Sequence, residues 1–174
     1  MVWANFLIAA NGATTLQGSS SALSSLRDRK RFHDLRAEAR AIVIGGNTFR
    51  REPYRSSPLP LFVATRGNIE MLRERNPLAS FLHLSPQEIV EHARKEVGDP
   101  ILIEAGGQFL SPLLRNKAIT NLRLTRSKRN GDGDFYLLDD DLQHYQCVKC
   151  TCSAASIPNV KRLSSRDGVG MIWE

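Results

Sequence analysis

Short apolar runs alternate along this chain with stretches whose hydrophobic positions recur at helical spacing. "VWANFLIAA" at 2–10 reads as a first strand, and "AIVIGG" at 41–46 is an unbroken apolar run. A run without polar alternation is what a parallel strand requires when both of its faces are covered. "LFVAT" at 61–65, "FLHL" at 81–84, residues 101–104 and "NLRLTRS" at 121–127 read as further strands. Helical patterns lie between them. "SSLRDRKRFHDLRAEAR" at 24–40 puts Leu26, Phe32, Leu35 and Ala39 on an inner stripe, with Ser25 and Asp28 at capping-box spacing. "SPQEIVEHARKEVG" at 85–98 is the clearest helix. Ser85 caps it, Pro86 suits the first turn, Glu88 closes the box, Gly98 ends it, and Ile89, Val90, Ala93 and Val97 form its stripe. "NIEMLRER" predicts a short helix, and another runs from about Gln108 to Arg115. "ATTLQGSSSA" and "FRREPYRSSPLP" read as loops and "NGDGD" as a turn. The last two apolar stretches, at 145–152 and 169–173, have no helical pattern between them and are expected to pair antiparallel.

Strands alternating with helices predict a single α/β domain over 1–174, with a mostly parallel central sheet, right-handed crossovers and antiparallel C-terminal strands. In an open sheet of this kind ligands bind beyond the carboxyl ends of the strands. The residues that follow each strand are therefore the candidates: Asn11-Gly12, "GGNTFRRE" at 45–52, Thr65-Arg66-Gly67 and "EAGGQ" at 104–108. Gly106 and Gly107 let backbone amides approach a ligand without a Cβ in the way. The helix after them offers unpaired N–H groups and a positive dipole end, which suits a diphosphate; a plain strand-to-helix turn is the alternative. Thr48 adds a hydroxyl, for the same phosphates or for a turn. Arg66 is either a planar fork for a ribose 2′-phosphate or a solvated loop arginine. Glu104 ends an apolar strand as a carboxylate, so it meets a backbone amide, an arginine or a polar ligand.

Composition narrows the choices. The chain has 174 residues, 41% hydrophobic and 24% charged, as a soluble domain does. No apolar run approaches the ~18 residues of a membrane span, and the N-terminus has no charged n-region, so it reads as a strand and not a signal peptide. A net charge of +6 points to nucleic acid or to a small, highly charged anion. The basic residues are spread out, with modest clusters at 27–31 and 126–129 and no interleaved aromatics, so a nucleic-acid partner is not expected. Cys147, Cys150 and Cys152 lack a fourth ligand at zinc spacing and read as reduced thiols of a cytoplasmic protein; no metal is expected. His33, His83, His92 and His144 are dispersed, and neither a nucleophile elbow nor a P-loop is present. A site rich in binding groups and poor in catalytic ones fits chemistry carried by a coenzyme.

"LRAEARAIVIGGNT", "LFVATRG", "ILIEAGG" and the opening "NG…GSSS" together resemble the reductase domain of riboflavin biosynthesis, over roughly residues 4–140. The resemblance implies a three-layer dihydrofolate reductase-like fold. It implies NADPH-dependent reduction of a 5-amino-6-(5-phosphoribosylamino)pyrimidine, of the uracil or the 2,5-diamino type, to its ribitylamino product. A homodimer, with no nucleic-acid or membrane partner, follows from the same source. Residue by residue, it assigns Gly45, Asn47, Thr48, Thr65, Arg66, Gly106, Gly107 and Gln108 to the coenzyme. It assigns Asn11, Ser21, Arg50 and Glu104 to the substrate, and no catalytic side chain. Charge alone offers Arg27, Lys30, Arg50 and Arg51 for the substrate's 5′-phosphate. The chain departs from the family in two places: Asn11 replaces an aspartate, and Arg51-Glu52-Pro53 replaces A-D-D-P. The family's zinc deaminase motif is not in this sequence, so a stand-alone reductase is expected. Two alternatives stay open. One is a divergent homologue that binds nucleotides without turnover, motivated by Asn11. The other is a dihydrofolate reductase, whose helix carboxylate facing the pteridine would be Asp28, although no Trp-bearing loop follows the first strand.

Overall fold

The apolar runs become strands because each can be covered from above and below. The computed structural model describes residues 1–52, 54 and 56–133, and the backbone of 149–150 and 172–173. In chain order the elements are β1 Val2–Ile8, α1 Leu26–Glu38, β2 Ala41–Gly45, α2 Gly46–Arg51, β3 Leu61–Ala64, α3 Ile69–Arg73, β4 Ser80–Leu82, α4 Pro86–Val97, β5 Ile101–Ile103, α5 Gly107–Arg115 and β6 Asn121–Arg126. Six strands form one sheet in the order β4-β3-β2-β5-β1-β6, and every pairing in it is parallel.

Period-two alternation sorts each strand between two layers of helices. Ala41 and Val43 of β2 join the cluster that holds Ile89 and Val90 of α4 and Leu110 and Leu113 of α5. Their neighbours Ile42 and Ile44 pack on the opposite face with Phe49 of α2 and Leu72 of α3, and Leu102 of β5 packs there with Leu35 of α1. Helices on both faces of one sheet make the three layers, and they explain why β2 has no polar position among 41–44.

Local chemistry sets the helix ends. Ser85 and Glu88 form the full capping box at α4, and Gly98 follows at φ 77°, a left-handed value that glycine adopts without strain. At α1 only half of the box forms: Ser25 accepts from the Asp28 amide, while the Asp28 carboxylate turns inward. The stripe expected for α1 therefore needs correction. Leu35 and Ala39 are buried, but Leu26 is 85% exposed. The inward position near that end belongs to Asp28, which is 5% exposed. The six-residue α2 occupies part of what reads as a loop in the sequence.

A second correction concerns the C-terminal strands. β7 Lys149–Cys150 and β8 Ile172–Trp173 pair in parallel, with Lys149 opposite Ile172. A parallel pair needs a crossover of about a dozen residues or more, and the stretch 151–171 has that length; a missing helix pattern does not make the pair antiparallel. Cys147, Cys152 and His144 lie outside the described residues. Among the described residues no helix is long and apolar enough to cross a membrane.

Asp99, ahead of β5, pairs with Arg94 and with the amino group of Met1. Its hydrogen bonds to Arg94 and to that amine hold its carboxyl down at about 2, from 3.8. A depressed carboxyl stabilises the fold above its unfolded value and loses that contribution as pH falls through its folded one. The gain is small for such an exposed pair, below ~1 kcal/mol. Asp99→Asn is expected to lower the urea midpoint slightly at neutral pH. That difference is expected to shrink between about pH 4 and pH 2, which chemical denaturation at stepped pH would read.

Candidate coenzyme and substrate cleft

β2 continues into α2 on one face of the sheet and its neighbour β5 continues into α5 on the other, so the chain diverges between two adjacent strand ends. A crevice opens at such a point, and here it is a cavity of about 830 Å³ bounded by the carboxyl ends of β1, β2, β3 and β5 and by the inward face of α1.

The β2–β5 side carries most of the residues singled out for a coenzyme. Gly45, Asn47 and Thr48 follow β2, Thr65 and Arg66 follow β3, and Gly106, Gly107 and Gln108 start α5; all line the cavity. Gly106 has φ −68° and ψ 167°, a conformation open to any residue. A Cβ built on it would meet nothing within 4 Å. Neither strain nor crowding inside the protein requires glycine there. The free volume lies over the tip of a nine-residue helix, whose first amides have no partner within the helix. This is a cradle that a side chain would fill, and its amides fit a diphosphate.

The α1 side is a polar wall. Asp28, Phe32 and Arg36 recur at i, i+4 and i+8 and all face the cavity. Asp28 is buried, and its two oxygens accept from the hydroxyls of Thr125 at 2.8 Å and Ser24 at 2.7 Å. Glu104 is held from three directions. Arg36 donates through Nε at 2.8 Å and Nη2 at 2.6 Å, and the Tyr54 hydroxyl donates at 2.6 Å. The Arg36 guanidinium lies 4.2 Å from the centre of the Phe32 ring and 5.5 Å from that of Tyr54. Burial works to lower its pKa, but pairing with Glu104 outweighs that and raises it. Burial first, and then the Glu104 charge, push the Tyr54 hydroxyl well above its ordinary value.

Ser21, Arg50 and Glu104 also line the cavity. Asn11 does not. Its side chain is spent on the backbone, donating to the Gly131 carbonyl and accepting from the Gly131 and Ala13 amides. It ties the loop after β1 to the loop after β6, so the absence of an acid at position 11 removes no group from the cavity wall. Of the four basic residues offered for a phosphate, Arg50 and Arg51 line the cavity, whereas Lys30 pairs with Asp34 on the surface and Arg27 is not part of the wall. Arg36, Tyr54 and Glu52 were not anticipated. Glu52 accepts from the amide and hydroxyl of Ser20 and from the Ser19 hydroxyl, pinning the serine loop over the cavity. The row 28–32–36 was visible as a helical repeat, hidden by a search for apolar positions alone. No group of histidine, cysteine and acidic side chains among the described residues is arranged to hold a metal.

A family model described as the RibD C-terminal domain matches residues 1–127. No curated protein matches. Among solved structures, the chain is similar to a pyrimidine reductase-like protein from Corynebacterium diphtheriae, at 20% identity over 80% of each chain, with a TM-score of 0.59. It is also similar to dihydrofolate reductase from Enterococcus faecalis complexed with NADP(H) and RAB-propyl, at 20% identity over 92% of this chain and 87% of that one, with a TM-score of 0.65.

Proposed function

The chain belongs to the RibD C-terminal domain family, as an oxidoreductase of the pyrimidine-reductase type, and on that premise we propose that it reduces a phosphoribosylaminopyrimidine with NADPH. The observation that carries the proposal is the Gly106 turn: an unstrained glycine with open volume above it, at the tip of α5 and beside the divergence of β2 and β5. The α5 amides would take the coenzyme's diphosphate, with Thr48 beside them. When held there, the dihydronicotinamide would supply a hydride equivalent for C1′ of the ribosylamine. The chain's share is to bind, orient and exclude solvent. Arg36, Glu104 and Tyr54 form a stiff wall, Glu52 holds the serine loop in place, and Asp28 offers its oxygens to the ring. A homodimer belongs to the same proposal, and sedimentation tests it.

Asp28 refines the substrate. A carboxylate accepts hydrogen bonds and does not donate them. The uracil edge alternates carbonyl, N–H and carbonyl, so a carbonyl oxygen would face a carboxylate oxygen. The 2-amino-4-oxo edge of the diamino form presents two adjacent N–H groups, which match both oxygens. The same edge occurs in a dihydropteridine, so Asp28 also favours a second reading, reduction of dihydrofolate with the same coenzyme. Coenzyme oxidation assayed with the diamino compound, its uracil counterpart and dihydrofolate separates the readings. Turnover of neither pyrimidine would overturn the first.

Gly106→Ala tests the cradle. The methyl group enters empty space, so the melting temperature is expected to hold. Coenzyme affinity is expected to fall about 10- to 100-fold, as backbone bonds to a charged phosphate are blocked. Titration calorimetry with NADPH reads the loss, and unchanged affinity would remove the diphosphate from this turn.

A further inference from the structure

Position 5 breaks the pattern that the rest of β1 obeys. Val2, Ala4 and Phe6 face the core beneath α4 and α5. Trp3 and Leu7 are apolar on the other face, where Trp3 packs with Leu35 of α1 and Leu102 of β5. Asn5 stands between those two, where alternation calls for a third apolar side chain. β1 is an inner strand, flanked by β5 and β6, and strands are depleted in asparagine. A half-buried amide is tolerated there when it has a partner. Among the described residues the Asn5 side chain has none, although Arg123 is its register partner on β6. On the β5 side Ala4 pairs with Ile103, so the next residue, Glu104, lies beside Asn5. Arg36 and Tyr54 already occupy the Glu104 carboxylate. The Asn5 amide opens instead into the cavity that Asp28 and Glu104 also line. A residue that breaks a local rule with no gain inside the fold marks a functional position.

We propose that Asn5 is a specificity-determining residue for the substrate, its side-chain oxygen accepting from the 5-amino group of the pyrimidine. This contact rests on the reductase reading above and adds a recognition group to it. Thr125, which donates to Asp28, is the register partner of Leu7. Asn5 therefore lies two residues from the Asp28 level, about 7 Å along the same face of β1. A ring whose 2-amino edge rests on Asp28 turns its opposite edge, with the 5-amino group and the ribosylamino nitrogen, toward that position. An amide suits this place better than an acid. The wall already holds two carboxylates, and a neutral acceptor adds no like charge beside them. A ring gripped at both edges cannot turn in its plane, which fixes the direction in which C1′ is presented.

The test compares Asn5→Leu and Asn5→Ala with the wild-type chain by titration calorimetry. The probes are 2,5-diamino-6-ribitylaminopyrimidin-4-one 5′-phosphate and the same compound with hydrogen in place of the 5-amino group. Leucine keeps the branched shape without the hydrogen-bonding atoms, alanine leaves the cleft open, and melting curves confirm that both variants fold. The wild type is expected to bind the diamino compound about 10-fold more tightly than its 5-deamino counterpart. Both variants are expected to bind the two compounds alike, within about 2-fold. A wild type that does not distinguish the compounds, or variants that distinguish them as the wild type does, overturn the role of Asn5 and leave the reductase reading intact. A wild-type chain that binds neither compound overturns the substrate reading itself, and the contact with it.

Discussion

Asp28→Asn is expected to cost at least ~100-fold in kcat/KM, while coenzyme affinity and the melting temperature stay close to wild type. The side chain keeps its shape, and its two partners in the protein are hydroxyls, from Ser24 and Thr125. A hydroxyl both donates and accepts, so each can rotate to suit an amide, and the wall survives. The substrate ring cannot adjust in that way. The amide turns one acceptor into a donor and removes the charge, so one hydrogen bond is lost and the other is no longer charge-assisted. Bonds to charged groups contribute about 1.5–3 kcal/mol each, which is how two of them reach two orders of magnitude. The loss is expected as a higher KM together with a lower kcat, since a tilted ring moves C1′ away from the hydride donor. Steady-state kinetics with the diamino compound is the measurement. An unchanged kcat/KM would take Asp28 out of substrate recognition.

Glu104→Ala is expected to produce the largest loss of stability. The carboxylate is 3% exposed and the Arg36 side chain 19%, so removal leaves a guanidinium in the wall between two aromatic rings without its counter-charge, and Tyr54 without its acceptor. Breaking one side of a buried pair costs about 3–5 kcal/mol, or about 6–20 °C in melting temperature for a chain of this size. Glu104→Ala combined with Arg36→Leu is expected to recover much of that, because the orphaned charge goes too. Thermal unfolding of the single and double variants measures it. A double variant as unstable as the single one would locate the cost in packing instead of charge.

Much of the frame was legible because it depends on local rules. Ser85, Pro86, Glu88 and Gly98 each satisfy a terminus of α4, and the apolar run 41–44 can only be a strand covered twice. The glycine turn at 106–107 was legible as the strand-to-helix turn that opens α5 for the same reason. What stayed hidden depends on contacts between distant parts of the chain. Nothing near Asp28 in sequence announces Thr125, nearly a hundred positions away. Leu26 obeys the helical period yet stands in solvent, because the cap at Ser25 fixes the phase of α1 and a bonded carboxylate takes the inner position. Arg50 follows Gly46 and Thr48 closely in sequence, and only the packing of α2 shows its guanidinium against the turn after β3. The parallel pairing of β7 and β8 was misread because a crossover need not carry a helical signature.

The strand order has a bearing on how the molecule is made. β1 precedes the other strands in the chain, but its neighbours are β5 and β6, with Val2 beside Ile101 and Trp3 beside Asn121. β2, β3 and β4 can zip together as they emerge, whereas β1 waits about a hundred residues for β5 and longer still for β6. Thr125, which donates to Asp28, lies on β6 and arrives late in that sequence. A nascent chain that stops before β5 is therefore a half-sheet with an unclaimed hydrophobic ribbon, and the cleft, bordered by β1 and by the residues after β5, is complete only once that segment arrives.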